Sequence, residues 1–146
     1  TKEDMERALS ISQSKSFVDK LPIGLKSEVS QGGSNFSGGQ KQRLSIARAL
    51  IRKVPIYIFD DSFSALDLKT DSALRKSLKE NMRDAAKIII AQRVSTIMDA
   101  DQILVLDEGK LVGIGKHIDL MKNCSVYQAI AKSQMSIEEV WFYEEG

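Results

Sequence analysis

Four apolar residues, Ile56, Tyr57, Ile58 and Phe59, run together and end at two adjacent acids, Asp60 and Asp61. A strand with one wet face alternates apolar and polar residues. A run with no polar face is how a strand covered on both sides reads, usually a parallel strand of an α/β sheet. Acids at its carboxyl end lie where open α/β sheets bind ligands. The chain of 146 residues is long enough for one domain with its own core, and 42% hydrophobic residues argue against disorder. The 21 basic and 20 acidic residues leave no excess of positive charge to mark a nucleic-acid partner. Cys124 stands alone, so no internal disulfide forms, which fits a reducing compartment. No apolar run approaches the roughly 20 residues of a membrane span. The polar, acidic start "TKEDMERAL" is unlike a signal peptide and reads as the middle of a protein.

Around that strand the pattern alternates helix and strand. Thr1 is placed to cap a first helix with Met5, Ala8 and Leu9 on one face. Pro22, Gly24, Gly32 and Gly33 break the chain into loop. A helix from about Gly38 to Arg52 carries a stripe of Leu44, Ala47, Leu50 and Ile51, and Pro55 stops it. A second amphipathic helix has Leu66, Ala73, Leu74 and Leu78 as its apolar positions. "AKIIIA" is another buried strand, ending at Gln92, and a short helix follows it. "DQILVLDEGKLVGIGK" alternates around a central Asp-Glu-Gly-Lys turn, the signature of a hairpin. The stretch from His117 to Met135 is helical again. In the tail, Trp141, Phe142 and Tyr143 are read either as a docked final turn or as an exposed end.

Ser37, Gly38 and Gly39 fall at a helix start. Free N–H groups and the positive end of the helix dipole make such a place an anion site, and glycines allow close approach. Gln40 adds an amide. A bare Ser-Gly-Gly reads first as an N-cap with flexible glycines. The longer string decides between them. "FSGGQKQRLSIARAL", then a strand ending in Asp, then "SALD" resembles the ATP-binding cassette (ABC) ATPases, with signature motif, Walker B strand, D-loop and switch strand in that family's order. The stretches "LPIGLKSEVSQGG" and "GKHIDLMKNCSVYQAI" are similar to the exporter branch, whose nucleotide-binding domains are fused behind transmembrane domains. His117, in the second stretch, is read as a loop or cap residue.

The resemblance implies an α/β fold: the C-terminal part of a P-loop (RecA-like) ABC ATPase core plus the end of the helical signature subdomain. It implies residues 1–53 as that helical part, 54–134 as the second half of the core, and 135–146 as a tail. ATP and Mg²⁺ are the implied cofactors. Ser37, Gly38, Gly39 and Gln40 would close over the ATP held by a second nucleotide-binding domain. Asp60 matches the Walker B acid, holding Mg²⁺ through water. Ser64, Ala65, Leu66 and Asp67 match the D-loop, although Asp67 also reads as a helix cap. The implied partners are a second ABC domain and transmembrane domains of the same chain, with no nucleic acid. The implied place is the cytoplasmic face of a membrane, with this stretch itself soluble.

Four departures from the family pattern stand out. No G-x-x-x-x-G-K-[ST] loop occurs: Gly109-Lys110 and Gly115-Lys116 are followed by Leu111 and His117. This stretch alone is therefore expected to lack most of an ATP site and to be inactive, with apolar surface exposed where the rest of the core packs. Asp61 stands where the family usually has the glutamate that polarises attacking water, and Gln92 where it has the switch histidine. Glutamine can hydrogen-bond a phosphate but cannot take a charge or relay a proton. Both departures implicate the catalytic pair, Asp61 and Gln92, and fit the degenerate half of a heterodimeric exporter. A slow homodimer remains the alternative. Gln31 replaces a frequent glutamate in the loop before the signature. A non-hydrolysing regulatory module, or a soluble ABC-type ATPase acting on nucleic acid or ribosomes, are the competing functions.

Overall fold

The computed structural model describes residues 1–134, so the reading of the tail with Trp141, Phe142 and Tyr143 lies outside the described residues. Two compact units are present, one of Thr1–Ala91 and one that begins at Gln92.

The first unit builds helices against one face of a small parallel sheet. Thr1 caps α1 (Lys2–Ile11) as expected: its hydroxyl accepts the Asp4 N–H at 3.2 Å and the Asp4 carboxylate answers it. A short α2 (Lys15–Val18) follows. Arg7 donates to the Leu50 carbonyl at 2.7 Å, tying α1 to the end of α3 (Gly38–Leu50). Arg43 lies over the Phe17 ring at 4.8 Å and donates to the Gln13 carbonyl at 2.6 Å. β1 (Ile56–Asp60) and β2 (Ala86–Ile90) pair in parallel, and α4 (Leu68–Asn81) is the crossover that parallel strands require. Tyr57 and Phe59 join Leu9, Ile46, Leu50, Phe63, Leu74 and Leu78 in one core. The Tyr57 hydroxyl stays satisfied, donating to the Arg52 carbonyl at 2.6 Å.

Three expectations change here. β1 is covered on one face only: Ile56 and Ile58 are 55% and 66% exposed, as are Ile88 and Ile90 at 50% and 51%. The helices supplied by this unit all pack on the Tyr57–Phe59 side, so the opposite face stays open. That open face is the exposed apolar surface anticipated from the sequence. In α3 the buried stripe is Ile46, Ala47 and Leu50, while Ile51 turns outward. In α4 the buried stripe includes Asp71 with Leu74 and Leu78; Arg75 approaches the Asp71 carboxylate at 3.4 Å. Leu66 is buried ahead of that helix, and Ala73 is exposed.

The second unit is a hairpin with helices on one side. α5 (Val94–Ile97) leads to β3 (Ile103–Asp107) and β4 (Lys110–Gly115), joined through Glu108 and Gly109. Both turn residues have positive φ, +45° and +75°, as a tight two-residue hairpin turn demands. α6 (His117–Asn123) and α7 (Ser125–Gln134) cover it, burying Ile103, Val105, Leu120, Cys124, Tyr127 and Ala131. His117 is not a loop residue. It opens α6, is only 4% exposed, and holds its Nδ1 2.7 Å from the Tyr127 hydroxyl. Burial lowers its pKa below the ordinary imidazole value.

Gly113 sets how closely α6 meets β4. A Cβ there would fall 2.8 Å from Cys124 Sγ and 3.1 Å from Leu120 Cδ2. Gly113→Ala is therefore expected to destabilise the protein by about 1–3 kcal/mol through overpacking. A lower urea midpoint with an unchanged slope would show it; an unchanged midpoint would mean that α6 yields without cost.

Candidate functional site

The signature turn is an intact capping box. Ser37 is the N-cap of α3, its Oγ accepting the Gln40 N–H at 3.2 Å. In return the Ser37 N–H donates to Gln40 Oε1 at 2.9 Å. Gln40 therefore spends its carbonyl on the cap and keeps only its amide NH₂ for a ligand. The first N–H groups of a helix lack intrahelical acceptors, so Gly38 and Gly39 present donors at the positive end of a 13-residue helix.

The turn after β1 is locked onto this helix. Gln42, one turn into α3, donates through Nε2 to the Asp61 carbonyl at 3.2 Å and to Ser64 Oγ at 3.0 Å. Its Oε1 accepts the Ala65 N–H at 2.9 Å. Gly39 permits the approach: a Cβ on it would stand 3.0 Å from the Ala65 carbonyl oxygen and 3.5 Å from Leu66 Cδ2. Gln42 was not singled out from the sequence. Its partners lie 19 to 23 residues away, beyond any local pattern.

Asp60 and Asp61 are both exposed at the carboxyl end of β1. Asp61 has φ of +47° and donates its N–H to the Ile90 carbonyl at 3.0 Å. Aspartate is among the residues that tolerate this left-handed region. Asp67 caps α4: its carboxylate accepts the Thr70 N–H at 2.9 Å and the Thr70 hydroxyl at 2.7 Å. Those bonds from Thr70 lower its pKa below the usual carboxylate value. The structure thus brings Gly38 beside Ala65 and Gly39 beside Ala65 and Leu66, with the Asp61 carbonyl and Ser64 held by Gln42.

Gln92 belongs to the second unit, where it is exposed. Its carbonyl accepts from Gln134 Nε2 at 2.8 Å, and Gln134 Oε1 accepts the Val94 N–H at 2.8 Å. Gln134 is the second residue that sequence reasoning passed over, again because 40 or more residues separate the partners.

Among the described residues no group of three or more His, Cys, Asp or Glu could cage a metal. The residues fit a hydrated Mg²⁺ instead, because that ion is commonly held by one or two carboxylates, with water and substrate phosphates completing its shell. Among the described residues no helix is long and apolar enough to cross a membrane.

A capped Ser-Gly-Gly helix start is thus joined, through Gln42, to the loop that follows a strand ending in acids. The sequence pattern of the ABC transporter family matches residues 3–64. An uncharacterized ABC transporter ATP-binding protein of Mycobacterium bovis is 48% identical over 134 residues, covering 92% of this chain and 23% of the relative. An ATP-dependent lipid A-core flippase of Shewanella frigidimarina is 40% identical over 136 residues, covering 93% of this chain and 23% of the flippase. A bacterial Atm1-family ABC exporter solved with ATP bound superposes with a TM-score of 0.88 at 36% identity, over 93% of this chain and 24% of the exporter. The chain belongs to the ATP-binding domains of ABC transporters. It spans about a quarter of the length of the relatives it matches.

Proposed function

We propose that this chain is part of the ATP-binding and hydrolysing subunit of an ABC exporter, working at the cytoplasmic face of a membrane. The carrying observation is the Gln42 clamp. It ties the helix that opens with Ser37–Gln40 to the Asp61 carbonyl, Ser64 and Ala65. Residues 1–53 serve as the end of the helical subdomain and 54–134 as the second half of the core.

In this reading Ser37, Gly38, Gly39 and the Gln40 amide complete a nucleotide site on a second ABC domain. Asp60 holds Mg²⁺ through water, and that ion neutralises charge on the β- and γ-phosphates. Ser64 to Asp67 carry the state of one site to the other across the dimer. In this reading the rest of the site, including a Walker A loop, is not supplied by these 146 residues. This stretch alone is accordingly expected to show negligible ATPase activity.

The pairing of Asp61 with Gln92 favours the degenerate half of a heterodimer. Here the chain's own site binds ATP, holds the dimer closed and turns over slowly. Single-turnover hydrolysis in the assembled protein, with the partner's catalytic glutamate neutralised, tests this. Hydrolysis at this site is expected to run on the order of 100-fold slower than at an ordinary site, the cost of misplacing a catalytic group by about 1 Å. Hydrolysis here at the rate of an ordinary ABC site would put a symmetric exporter in its place.

A further inference from the structure

We propose that Gln134 is a positioning residue for Gln92, acting from the last turn of α7 on the backbone from which that side chain springs. The inference rests on the reading of Gln92 as facing nucleotide.

A primary amide offers a donor and an acceptor side by side, as a peptide unit does. Gln134 uses both. Nε2 donates to the Gln92 carbonyl at 2.8 Å, and Oε1 accepts the Val94 N–H at 2.8 Å. The two contacts bracket Arg93. The carbonyl bond restrains ψ of residue 92, and with it the direction in which the Gln92 side chain leaves the backbone.

The second bond answers a local deficit. The first N–H groups of α5 need acceptors, and its N-cap residue Arg93 makes no side-chain cap bond. Gln134 supplies a cap from 40 residues away. Its own base is firm: Tyr127 and Ala131, on the same helix, are 2% and 0% exposed. Gln134 itself is exposed, so nothing in its burial accounts for two well-formed bonds to this segment.

The test compares Gln134→Ala and Gln134→Glu with the parent in the full-length assembled transporter. Amide hydrogen exchange is read over residues 92–97, with peptides from β3 and from Tyr127–Ala131 as controls. Loss of the bond that holds the Val94 N–H predicts exchange about five- to tenfold faster in the first peptide for Gln134→Ala, with the controls unchanged. Gln134→Glu retains the acceptor for Val94 but sets a carboxylate against the Gln92 carbonyl, so it is expected to loosen the segment too. ATP retained at this site should be released severalfold faster in both variants, while ATP at the partner's site is unaffected.

Unchanged exchange over 92–97 would overturn the proposal. Faster exchange that spreads to the controls would overturn it too, because Gln134 would then be a general prop. Looser exchange with unaltered ATP retention would deny it any positioning role. Failure of the functional reading is distinguishable, since it shows in single-turnover hydrolysis by the parent, before any change at residue 134.

Discussion

Gly38→Asp is expected to reduce ATP turnover of the assembled transporter by about 100-fold or more while leaving the fold intact, a loss comparable to removing one preorganised donor from an anion hole. The two halves of that statement have separate causes. Sterically the site is open: a Cβ on Gly38 would meet only the Ala65 methyl, at an ordinary 3.5 Å. The capping box below it, Ser37 with Gln40, is untouched by the change. A carboxylate in the first turn even suits the helix dipole, so stability should hold or rise slightly. The same carboxylate, however, would face the phosphate that the turn is proposed to receive. Residue 39 would give a less clean result, because a Cβ there would press on the Ala65 carbonyl at 3.0 Å and shift the D-loop itself. The measurement is steady-state ATPase activity beside a thermal melt. Parent-like turnover with a parent-like melt would show that the signature turn never meets a phosphate.

How much of this could be read in advance depended on the distance between partners. Thr1, Ser37 and Asp67 were legible as caps because each bonds a group three residues on. The hairpin was legible because Glu108 and Gly109 make their turn locally. Gln42 and Gln134 were not legible, since each holds backbone groups that only the tertiary fold delivers. The pattern misled in one consistent way. An all-apolar strand declares that both faces are meant to be covered, but not that the covering segments are present. Ile58, 66% exposed on β1, carries that discrepancy. His117 shows the converse: a polar residue between loop-like neighbours proved to be core, because Tyr127 offered its ring nitrogen a partner. Among the candidate site residues, those on α3 and the β1 loop could be placed together by structure. Gln92 entered on the resemblance alone, and its surroundings became visible only through Gln134.

Asp61→Glu together with Gln92→His is expected to raise single-turnover hydrolysis at this chain's own site by on the order of 100-fold, measured with the partner's glutamate neutralised. The argument turns on the backbone at residue 61. Its N–H is bonded to the Ile90 carbonyl at 3.0 Å, and its carbonyl accepts from Gln42 at 3.2 Å. With both ends held, the turn cannot slide forward to make up for a missing methylene. The Asp61 carboxylate therefore sits short of where a glutamate's would lie. Glutamate at φ of +47° carries a conformational cost of about 1 kcal/mol, which should appear as a small loss of stability rather than of rate. The longer carboxylate alone orients water; the imidazole adds the charge and proton relay that Gln92 cannot supply. Each single change should thus recover less than the pair. Asp61→Asn, in contrast, should lower total ATPase activity far less than neutralising the partner's glutamate, since in the proposed heterodimer little hydrolysis passes through this site. A parent protein that already hydrolyses here at an ordinary rate, unmoved by the double change, would remove the degenerate-site reading and leave Asp61 and Gln92 as working substitutes.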